Sequence, residues 1–310
     1  MNLQKNVLLK NYSNYKIGGS AKFFVEVRSA EELIEALKYA RDNNEKVFIL
    51  GGGTNILISD KGFNGLIIYN KIEGIKREGE NPIVGSGVLI KDLLNFCIEN
   101  SLSGFEWAGG LPGTIAGAIR GNAGAFKGEI KDSVVKVESF DMNTFEKKIR
   151  NNSECKFGYR NSIFKTKGAA LEFITQVVFK FEIGDKKEIE EKVRQGIDYR
   201  NNHHPMEYPS IGSTFKNISL DSLPQDLTKE FAAIVKNDPF PVVLTTKLLA
   251  LCGLKGRRVG GAMISEKHPN FIVNVDNAKA SDVRMLIEMA KQAVKEKYKI
   301  SLEEEIIYLN

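Results

Sequence analysis

The sequence is poor in the residues that build disulfides and metal sites. It has three cysteines in 310 residues, Cys97, Cys155 and Cys252, and none belongs to a C-x-x-C pair. An odd number without such pairs argues against a disulfide framework and against structural zinc. There are also only three histidines and no H-E-x-x-H motif, so we expect no metal site.

Long apolar runs are missing as well. No stretch reaches the roughly 18 apolar residues of a membrane-spanning helix. The N-terminal segment has neither a long apolar run nor a small-residue cleavage site, so we expect no signal peptide and no membrane insertion. Together with the unpaired cysteines, these absences predict a protein of the reducing cytoplasm.

The chain also has no large excess of basic over acidic residues. The chain has 44 Lys and Arg residues against 39 Asp and Glu, which gives a net charge of +5. Most basic residues alternate with acidic ones, and the densest basic cluster, at 255–258 (Lys-Gly-Arg-Arg), is too short to follow a phosphate backbone. These features argue against nucleic-acid binding but are compatible with small anionic ligands.

The spacing of apolar residues predicts an α+β chain with mixed sheets. Helices are predicted after a Ser29 cap with Glu32 completing a capping box, over 90–99, from 186 to about 199 as a connector, and after a Ser281 cap. Strands are predicted at 47–50, at 66–69, in a β-rich stretch at 134–181 that alternates over 173–179, and at 305–309. Residues 218–245 contain three prolines and are predicted to form a long loop with one short helix.

Glycine is the residue whose placement is unusual. Of 28 glycines, eight lie between Gly104 and Gly128. Another group, Gly51-Gly52-Gly53-Thr54-Asn55, follows the predicted strand at 47–50 directly. Successive backbone N–H groups in such a turn form nests that bind phosphate oxygens. A tight turn that needs positive φ explains the same glycines equally well, so both interpretations stay open.

The second glycine group is a run of mostly small residues from 108 to 118, continued over 121–125. With few side chains in the way, a flat group can lie directly on this backbone. Close packing between two chain elements also selects small residues, and this alternative stays open as well.

Several common motifs are excluded. Ile56 stands where the third glycine of G-x-G-x-x-G would be, so the Rossmann fingerprint fails. No G-x-x-x-x-G-K-[ST] phosphate loop and no G-x-S-x-G nucleophile elbow occur.

The two glycine groups are part of a longer ordered set of motifs. These are GGGTN-x-L at 51–57, G-x-P-G-T-x-x-G-A at 110–118, N-A-G-A at 122–125, Y-R-x-S at 159–162, Y-P-S-x-G-S-x-F-K-N at 208–217, G-L-K-G at 253–256, H-x-N-F-I-V-N at 268–274 and L-x-x-E at 302–305. From about Tyr15 to the C-terminus, this set resembles the UDP-N-acetylenolpyruvoylglucosamine reductase family.

The resemblance implies a flavoprotein with the FAD-binding fold of the vanillyl-alcohol-oxidase (PCMH) type. FAD is held non-covalently, NADPH reduces it, and UDP-N-acetylglucosamine enolpyruvate is reduced to the cell-wall precursor UDP-N-acetylmuramate. It further implies a first FAD-binding subdomain at 1–75, a second at 76–200 and a substrate-binding domain at 201–310. We expect a monomer or weak dimer.

The resemblance also assigns site residues by motif position. The catalytic residues are Arg160, Ser213 and Glu305. The FAD-binding positions are Gly51, Gly52, Gly53, Thr54, Asn55, Leu57, Gly110, Pro112, Gly113, Thr114, Gly117, Ala118, Asn122, Gly124 and Arg200. The substrate-binding positions are Tyr208, Asn217, His203 and His268.

Chemistry supports the implied catalytic roles. Hydride addition to the enol ether leaves carbanion character at C2, delocalised into the substrate carboxylate. Arg160 can offer that carboxylate a bidentate fork. Ser213 would deliver the proton to C2, and Glu305 would lie beside the same intermediate, in a protonated state that burial near a negative substrate favours.

The sequence departs from the family at several places, two of which bear on the substrate site. Many members have a lysine where this chain has His203; an ordinary histidine loses its charge near pH ~6.5, so diphosphate binding would depend on pH. The stretch at 218–246 is longer than usual. The chain otherwise resembles the subgroup that lacks a tyrosine-bearing loop insertion, in which Tyr208 partly serves instead.

Two other functions stay open at this point. One is an FAD-dependent oxidase of a hydroxy acid or sugar with the same fold. Most covalent oxidases of this type attach the flavin to a His or Cys near the first glycine group, and none lies there. The other is a flavin-less sugar-nucleotide-binding or nucleic-acid-binding protein.

Overall fold

Helices and strands are interspersed along the chain, which confirms the predicted α+β class. The computed structural model describes residues 1–78, 81–166, 171–223, 225–238 and 240–310. The strands are β1 (Gln4–Leu8), β2 (Ser20–Val27), β3 (Val47–Leu50), β4 (Ile56–Ile58), β5 (Phe63–Asn70), β6 (Ile75–Glu78), β7 (Asn81–Gly85), β8 (Leu102–Ser103), β9 (Gly124–Ala125), β10 (Gly128–Glu129), β11 (Val134–Asp141), β12 (Lys147–Asn151), β13 (Glu172–Phe179), β14 (Glu182–Ile183), β15 (Ile218–Ser219), β16 (Val235–Asn237), β17 (Pro241–Val243), β18 (Arg258–Val259), β19 (Ala262–Ile264), β20 (Ile272–Asn274) and β21 (Ile307–Leu309). The helices are α1 (Ala30–Asp42), α2 (Ile90–Glu99), α3 (Ile115–Gly121), α4 (Lys186–His203), α5 (Gln225–Glu230), α6 (Thr245–Leu251) and α7 (Ala280–Tyr298).

Contacts divide the chain into two compact units. The first consists of Met1–Val7, Ala21–Gly52 and Asn64–Tyr199, and the second of Leu8–Ser20, Gly53–Phe63 and Arg200–Asn310. Two segments that precede residue 75 therefore belong to the same unit as the C-terminal third. The subdomain division at 75 and 200 stays a prediction, since these two units are defined by contacts, which join segments that are distant in sequence.

The first unit contains two larger sheets. One has the strand order β1-β2-β5-β3, and the other has the order β12-β11-β13-β7-β6. The strands predicted at 47–50 and 66–69 are confirmed as β3 and part of β5. The strand indicated by the alternation over 173–179 is confirmed as β13, which is buried on both sides except at Gln176. Phe173 and Ile174 pack into two different apolar clusters.

The helices of the first unit form near their predicted positions. Ser29 caps α1, since its side chain accepts a hydrogen bond from the N–H of Glu32 at 3.2 Å. The other half of the expected capping box differs, because the Glu32 carboxylate accepts from the N–H of Arg28. Helix α2 has the predicted bounds.

Helix α4 is longer than predicted. It continues past Tyr199 to His203, because nothing after Gly196 interrupts the helix before the chain reaches Pro205. Arg200 and His203 therefore lie in its last turn, where basic side chains interact favourably with the helix dipole.

The second unit is built around α7. The predicted apolar face of this helix is buried at Val283, Leu286, Ile287, Ala290 and Val294. The predicted Ser281 cap is wrong: the helix begins at Ala280, and Ser281 is exposed in its first turn. The Asp60 carboxylate instead accepts hydrogen bonds from the N–H groups of both residues, at 2.7 and 3.1 Å. A side chain 220 residues away in sequence replaces the local cap.

The end of the chain and the segment at 218–245 also differ from expectation. The closing strand β21 begins only at Ile307, and it pairs in parallel with β4. The predicted loop at 218–245 forms a three-stranded sheet, β15-β17-β16, together with α5. Its strands have two or three residues each, too few to show a period in the sequence. Pro224 and Pro239, two of the three prolines behind that expectation, lie outside the described residues.

Across the described residues, no helix combines the length and the apolar character needed to cross a bilayer.

Candidate active site

In the first unit, the two glycine groups lie against each other. A Cβ atom on Gly51 would meet the Thr114 side-chain oxygen at 2.6 Å, and one on Gly52 would meet the Gly113 Cα at 3.0 Å. Any larger side chain at either position would push the two segments apart. Close packing is therefore one reason for these small residues, and it leaves backbone rather than side chains at the surface of the turn.

The rest of the first glycine turn lies in the second unit. Gly53 has φ +63°, and a Cβ there would meet the Tyr12 carbonyl oxygen at 2.0 Å, so only glycine fits. Its own carbonyl accepts the N–H of Asn14 at 3.1 Å. Of the hydrogen bonds in the described part of the chain, none uses the backbone N–H of Gly53, Thr54 or Asn55 as donor. Consecutive unused N–H groups in such a turn are the arrangement that binds phosphate oxygens.

The second glycine group leads into the short helix α3. Thr114 caps it by accepting from the N–H of Gly117 at 3.4 Å. The first N–H groups of the helix also form hydrogen bonds within the protein, since Ile115 donates to the Val88 carbonyl and Ala116 donates to the Ser86 carbonyl. The start of α3 is thus satisfied internally. What the segment offers a ligand is its exposed small residues, Gly110, Pro112 and Gly117.

Asn122 follows α3 and is fully buried. Its side-chain amide donates to the Glu129 carboxylate at 3.0 Å and to the Gly158 carbonyl at 2.9 Å, and its oxygen accepts from the N–H of Lys131. With both amide protons engaged, this side chain connects the glycine segment to the turn that contains Arg160.

The Arg160 side chain reaches the same glycine segment. Its Nη1 atom donates to the Gly124 carbonyl at 3.1 Å, and its guanidinium lies 5.6 Å from the centre of the Tyr159 ring. Arg160 is partly exposed and has φ +51°, a left-handed conformation that is uncommon outside glycine. Such residues cluster at functional sites.

Ser213 lies in the second unit, on a segment held by Asn270. It forms an antiparallel bridge with Phe271, and the next residue, Thr214, donates its N–H to the Asn270 carbonyl at 2.7 Å. The Asn270 side chain both accepts from and donates to the backbone of Phe215. The role of Asn270 is not apparent from the sequence; its only signal there is its place in the H-x-N-F-I-V-N motif.

Glu305 is held beside this segment. Its N–H donates to the Thr214 carbonyl at 2.8 Å, and its own carbonyl accepts from the Asn55 side chain at 3.1 Å. The structure thus brings together three motifs that are far apart in sequence: the asparagine of the first glycine group, the serine segment and the closing glutamate.

The predicted substrate-binding residues have different surroundings. His203 and Tyr208 are exposed, on the last turn of α4 and just after it. The Asn217 side-chain oxygen accepts from the N–H of Thr245 at 3.2 Å, which ties together the two ends of the 218–245 segment. His268 is partly buried, with its ring 5.2 Å from that of His204.

The pair of His204 and His268 makes stability depend on pH. Burial, followed by the charges of nearby basic groups, lowers the pKa of each ring to about 4, against ~6.5 in an unfolded chain. The unfolded state therefore takes up protons first, and the free energy of unfolding falls as the pH drops from about 6.5 towards 4, by roughly 2 kcal/mol per ring. In urea unfolding at about pH 7 and about pH 4.5, His204→Gln should lose less stability than the unchanged protein. An equal loss in both proteins would contradict the assignment.

Two family models match the chain. One, described as an FAD binding domain, matches residues 21–144. The other, described as the C-terminal domain of UDP-N-acetylenolpyruvoylglucosamine reductase, matches residues 204–309. The first contains both glycine groups, and the second contains the segments of Ser213 and Glu305.

Relatives match over nearly the whole chain. It is 35% identical to the UDP-N-acetylenolpyruvoylglucosamine reductase of Clostridium tetani, across 99% of this chain and 92% of the relative. It is 36% identical to the enzyme of that name from Fusobacterium nucleatum, across 99% of both chains. The crystal structure of the Thermus caldophilus reductase superposes with a TM-score of 0.79 at 30% identity, across 100% of both chains.

Proposed function

The chain belongs to the UDP-N-acetylenolpyruvoylglucosamine reductase family, and from that premise we propose that it reduces UDP-N-acetylglucosamine enolpyruvate to UDP-N-acetylmuramate, using NADPH and non-covalent FAD. The observation that carries this is the match to reductases along their whole length, 92% and 99% of the two relatives. The product is a precursor of peptidoglycan.

The residues present fit FAD. The turn at Gly53 offers unused backbone N–H groups to phosphate oxygens, and Gly117 leaves backbone exposed for a flat ring. We propose that the FAD-binding positions are those implied by the motifs, with Asn122 acting through its hydrogen bond to Gly158. When bound, FAD accepts hydride from NADPH and supplies it to the enolpyruvyl double bond.

Arg160 is proposed to bind the substrate carboxylate. As hydride reaches C3, negative charge moves from C2 into that carboxylate, and a guanidinium that binds both oxygens stabilises the developing charge. Donors aimed at such charge are typically worth about 3–4 kcal/mol. The hydrogen bond from Arg160 Nη1 to the Gly124 carbonyl places the guanidinium beside the second glycine group.

Ser213 is proposed to give its hydroxyl proton to C2, and Glu305 to assist it. A hydroxyl is a weak acid, but the carbanion it faces is strongly basic. The bond between Glu305 and Thr214, the residue next to Ser213, keeps the two backbone segments in fixed register. Because the Ser213 proton ends on C2, the assistance proposed for Glu305 is to return a proton to the serine oxygen after that transfer.

The reductase is favoured over the other two functions. The same-fold oxidase and the flavin-less binding protein each lack an observation of their own, whereas both family models and the full-length relatives agree with the reductase. The absorption spectrum of the purified protein tests this choice first. We expect a flavin band that leaves with the soluble fraction after acid denaturation and is identified as FAD. Protein without such a band would contradict both flavoenzyme functions.

The proposed partners are small molecules, the sugar nucleotide and NADPH. We propose a cytoplasmic location and a monomer or weak dimer, since UDP-linked precursors and NADPH are both cytoplasmic metabolites and the sequence offers no partner motif.

His203 is expected to make substrate affinity pH-dependent. It is exposed at the end of α4, at the position where the family resemblance implies a lysine in many members. A histidine loses its positive charge within the physiological range, whereas lysine keeps it. His203→Lys should therefore tighten substrate binding at about pH 9 and change it little at about pH 6. Apparent KM values that are equal in the two proteins across that range would remove the proposed role.

A further inference from the structure

The turn that contains Arg160 is strained. Arg160 has φ +51°, and it lies between Gly158 and Asn161, which exchange two backbone hydrogen bonds of 3.0 and 3.1 Å. This left-handed form is energetically unfavourable for a residue with a Cβ atom. It therefore persists only where the surrounding structure holds the residue in it. Contacts that hold the Arg160 peptide in place therefore also determine where its guanidinium points.

Two side chains form hydrogen bonds to the backbone of this turn. The Lys165 ammonium donates to the carbonyl oxygen of Arg160 itself at 2.7 Å. The buried Asn122 amide donates to the Gly158 carbonyl, two residues earlier, at 2.9 Å. Relaxing Arg160 to a right-handed conformation would rotate its peptide and break the bond to Lys165.

Lys165 is itself fixed by its local structure. It ends a short 3-10 helix, Ile163–Lys165, whose middle residue, Phe164, is 2% exposed. Just before this helix, the buried Ser162 hydroxyl donates to the Arg120 carbonyl at 2.8 Å. The burial of Phe164 and the Ser162 bond keep the helix in place, so Lys165 reaches back to a carbonyl five residues earlier.

We infer that Lys165 is a positioning residue for the reaction: it keeps Arg160 in the left-handed conformation from which the guanidinium binds the substrate carboxylate. This inference depends on the proposed function, since it requires that Arg160 act on the substrate. It assigns Lys165 no contact with substrate or cofactor. Because misplacing a reacting group by about 1 Å costs up to roughly 100-fold in rate, the loss of Lys165 should act on one half-reaction only.

The test measures the two half-reactions separately in the complete, FAD-loaded protein. Lys165→Met keeps the length of the side chain but removes the donor. We expect it to slow reoxidation by the enolpyruvyl substrate roughly 10-fold or more at saturating substrate, while the FAD content and the rate of flavin reduction by NADPH stay within about 2-fold. Lys165→Arg, which keeps a charged donor, should recover most of the lost rate. Lys192→Met, on the exposed face of α4, is the matched control and should change neither rate.

Arg160→Lys provides the second background. If Lys165 acts through Arg160, then Lys165→Met in that background should slow reoxidation by no more than about 2-fold further, because coupled residues do not add. The same loss in both backgrounds would overturn the inference, and so would a Lys165→Met protein that reoxidises normally or that loses both half-reactions equally.

Three further outcomes are distinguishable. If Lys165→Met does not fold, Lys165→Ala, which also removes the donor, is compared with Lys165→Arg, and equal reoxidation rates in those two variants would overturn the inference. If Arg160→Lys alone leaves reoxidation unchanged, the role proposed for Arg160 fails, and the inference about Lys165 fails with it. If Arg160→Lys is slow but Lys165→Met is not, only the inference fails.

Discussion

Replacing Ser213 by alanine is expected to slow reduction of the enolpyruvyl substrate by roughly 10²–10⁴-fold, because general acid catalysis typically contributes that much. The same variant should bind FAD normally and should be reduced by NADPH at the unchanged rate, since no proton is delivered to carbon in that step. Rapid mixing of each half-reaction, followed at the flavin band, gives the two rates separately.

The control for this variant is Ser281→Ala. Ser281 is exposed in the first turn of α7, so the same chemical change at that position should leave both half-reactions unaltered. Equal losses in the two half-reactions of Ser213→Ala would show damage to the cofactor site rather than loss of a proton donor. Full activity in that variant would remove Ser213 from the mechanism.

Arg160→Lys is the second change with a large expected effect. Lysine keeps the charge but loses the planar fork that binds both carboxylate oxygens. If one such donor arrangement is worth about 3–4 kcal/mol in the transition state, kcat/KM for the substrate should fall by roughly 10²–10³-fold. NADPH oxidation at limiting substrate concentration measures that ratio directly.

The matched control here is Arg194→Lys. Arg194 is exposed on α4 and pairs only with a neighbouring side chain of the same helix, Glu191, in the bonds described, so its replacement should change kcat/KM by less than about 2-fold. A similar value for Arg160→Lys would mean that the guanidinium contributes charge alone. In that case the bidentate contact would be the part of the mechanism to abandon.

Much of the fold could be predicted from local signals. Apolar spacing gave α2 its bounds, and the Ser29 cap marked the start of α1. Prediction failed where a group distant in sequence determines the local structure. The start of α7 is set by Asp60, whose carboxylate accepts a hydrogen bond from the N–H of Ala280.

The candidate site shows the same division between local and distant information. The glycine turn is recognisable in the sequence because Gly53 has a positive φ and lies too close to the Tyr12 carbonyl oxygen for any side chain. The motifs also mark Arg160, Ser213 and Glu305, although spacing alone does not bring them together. The supporting residues could not be predicted. The bonds of Asn270 to Phe215 and of Lys165 to Arg160 depend on where the backbone turns, and neither side chain has a local pattern that shows its partner.

The oxidant proposed for the reduced flavin is an enolpyruvyl sugar nucleotide and not oxygen. Stopped-flow reoxidation of the NADPH-reduced protein tests it most directly, with UDP-N-acetylglucosamine enolpyruvate and dissolved oxygen compared as oxidants. We predict that the nucleotide restores the oxidised flavin band much faster than oxygen and that UDP-N-acetylmuramate forms in equal amount. Rapid reoxidation by oxygen, with no faster phase when the nucleotide is present, would contradict the account.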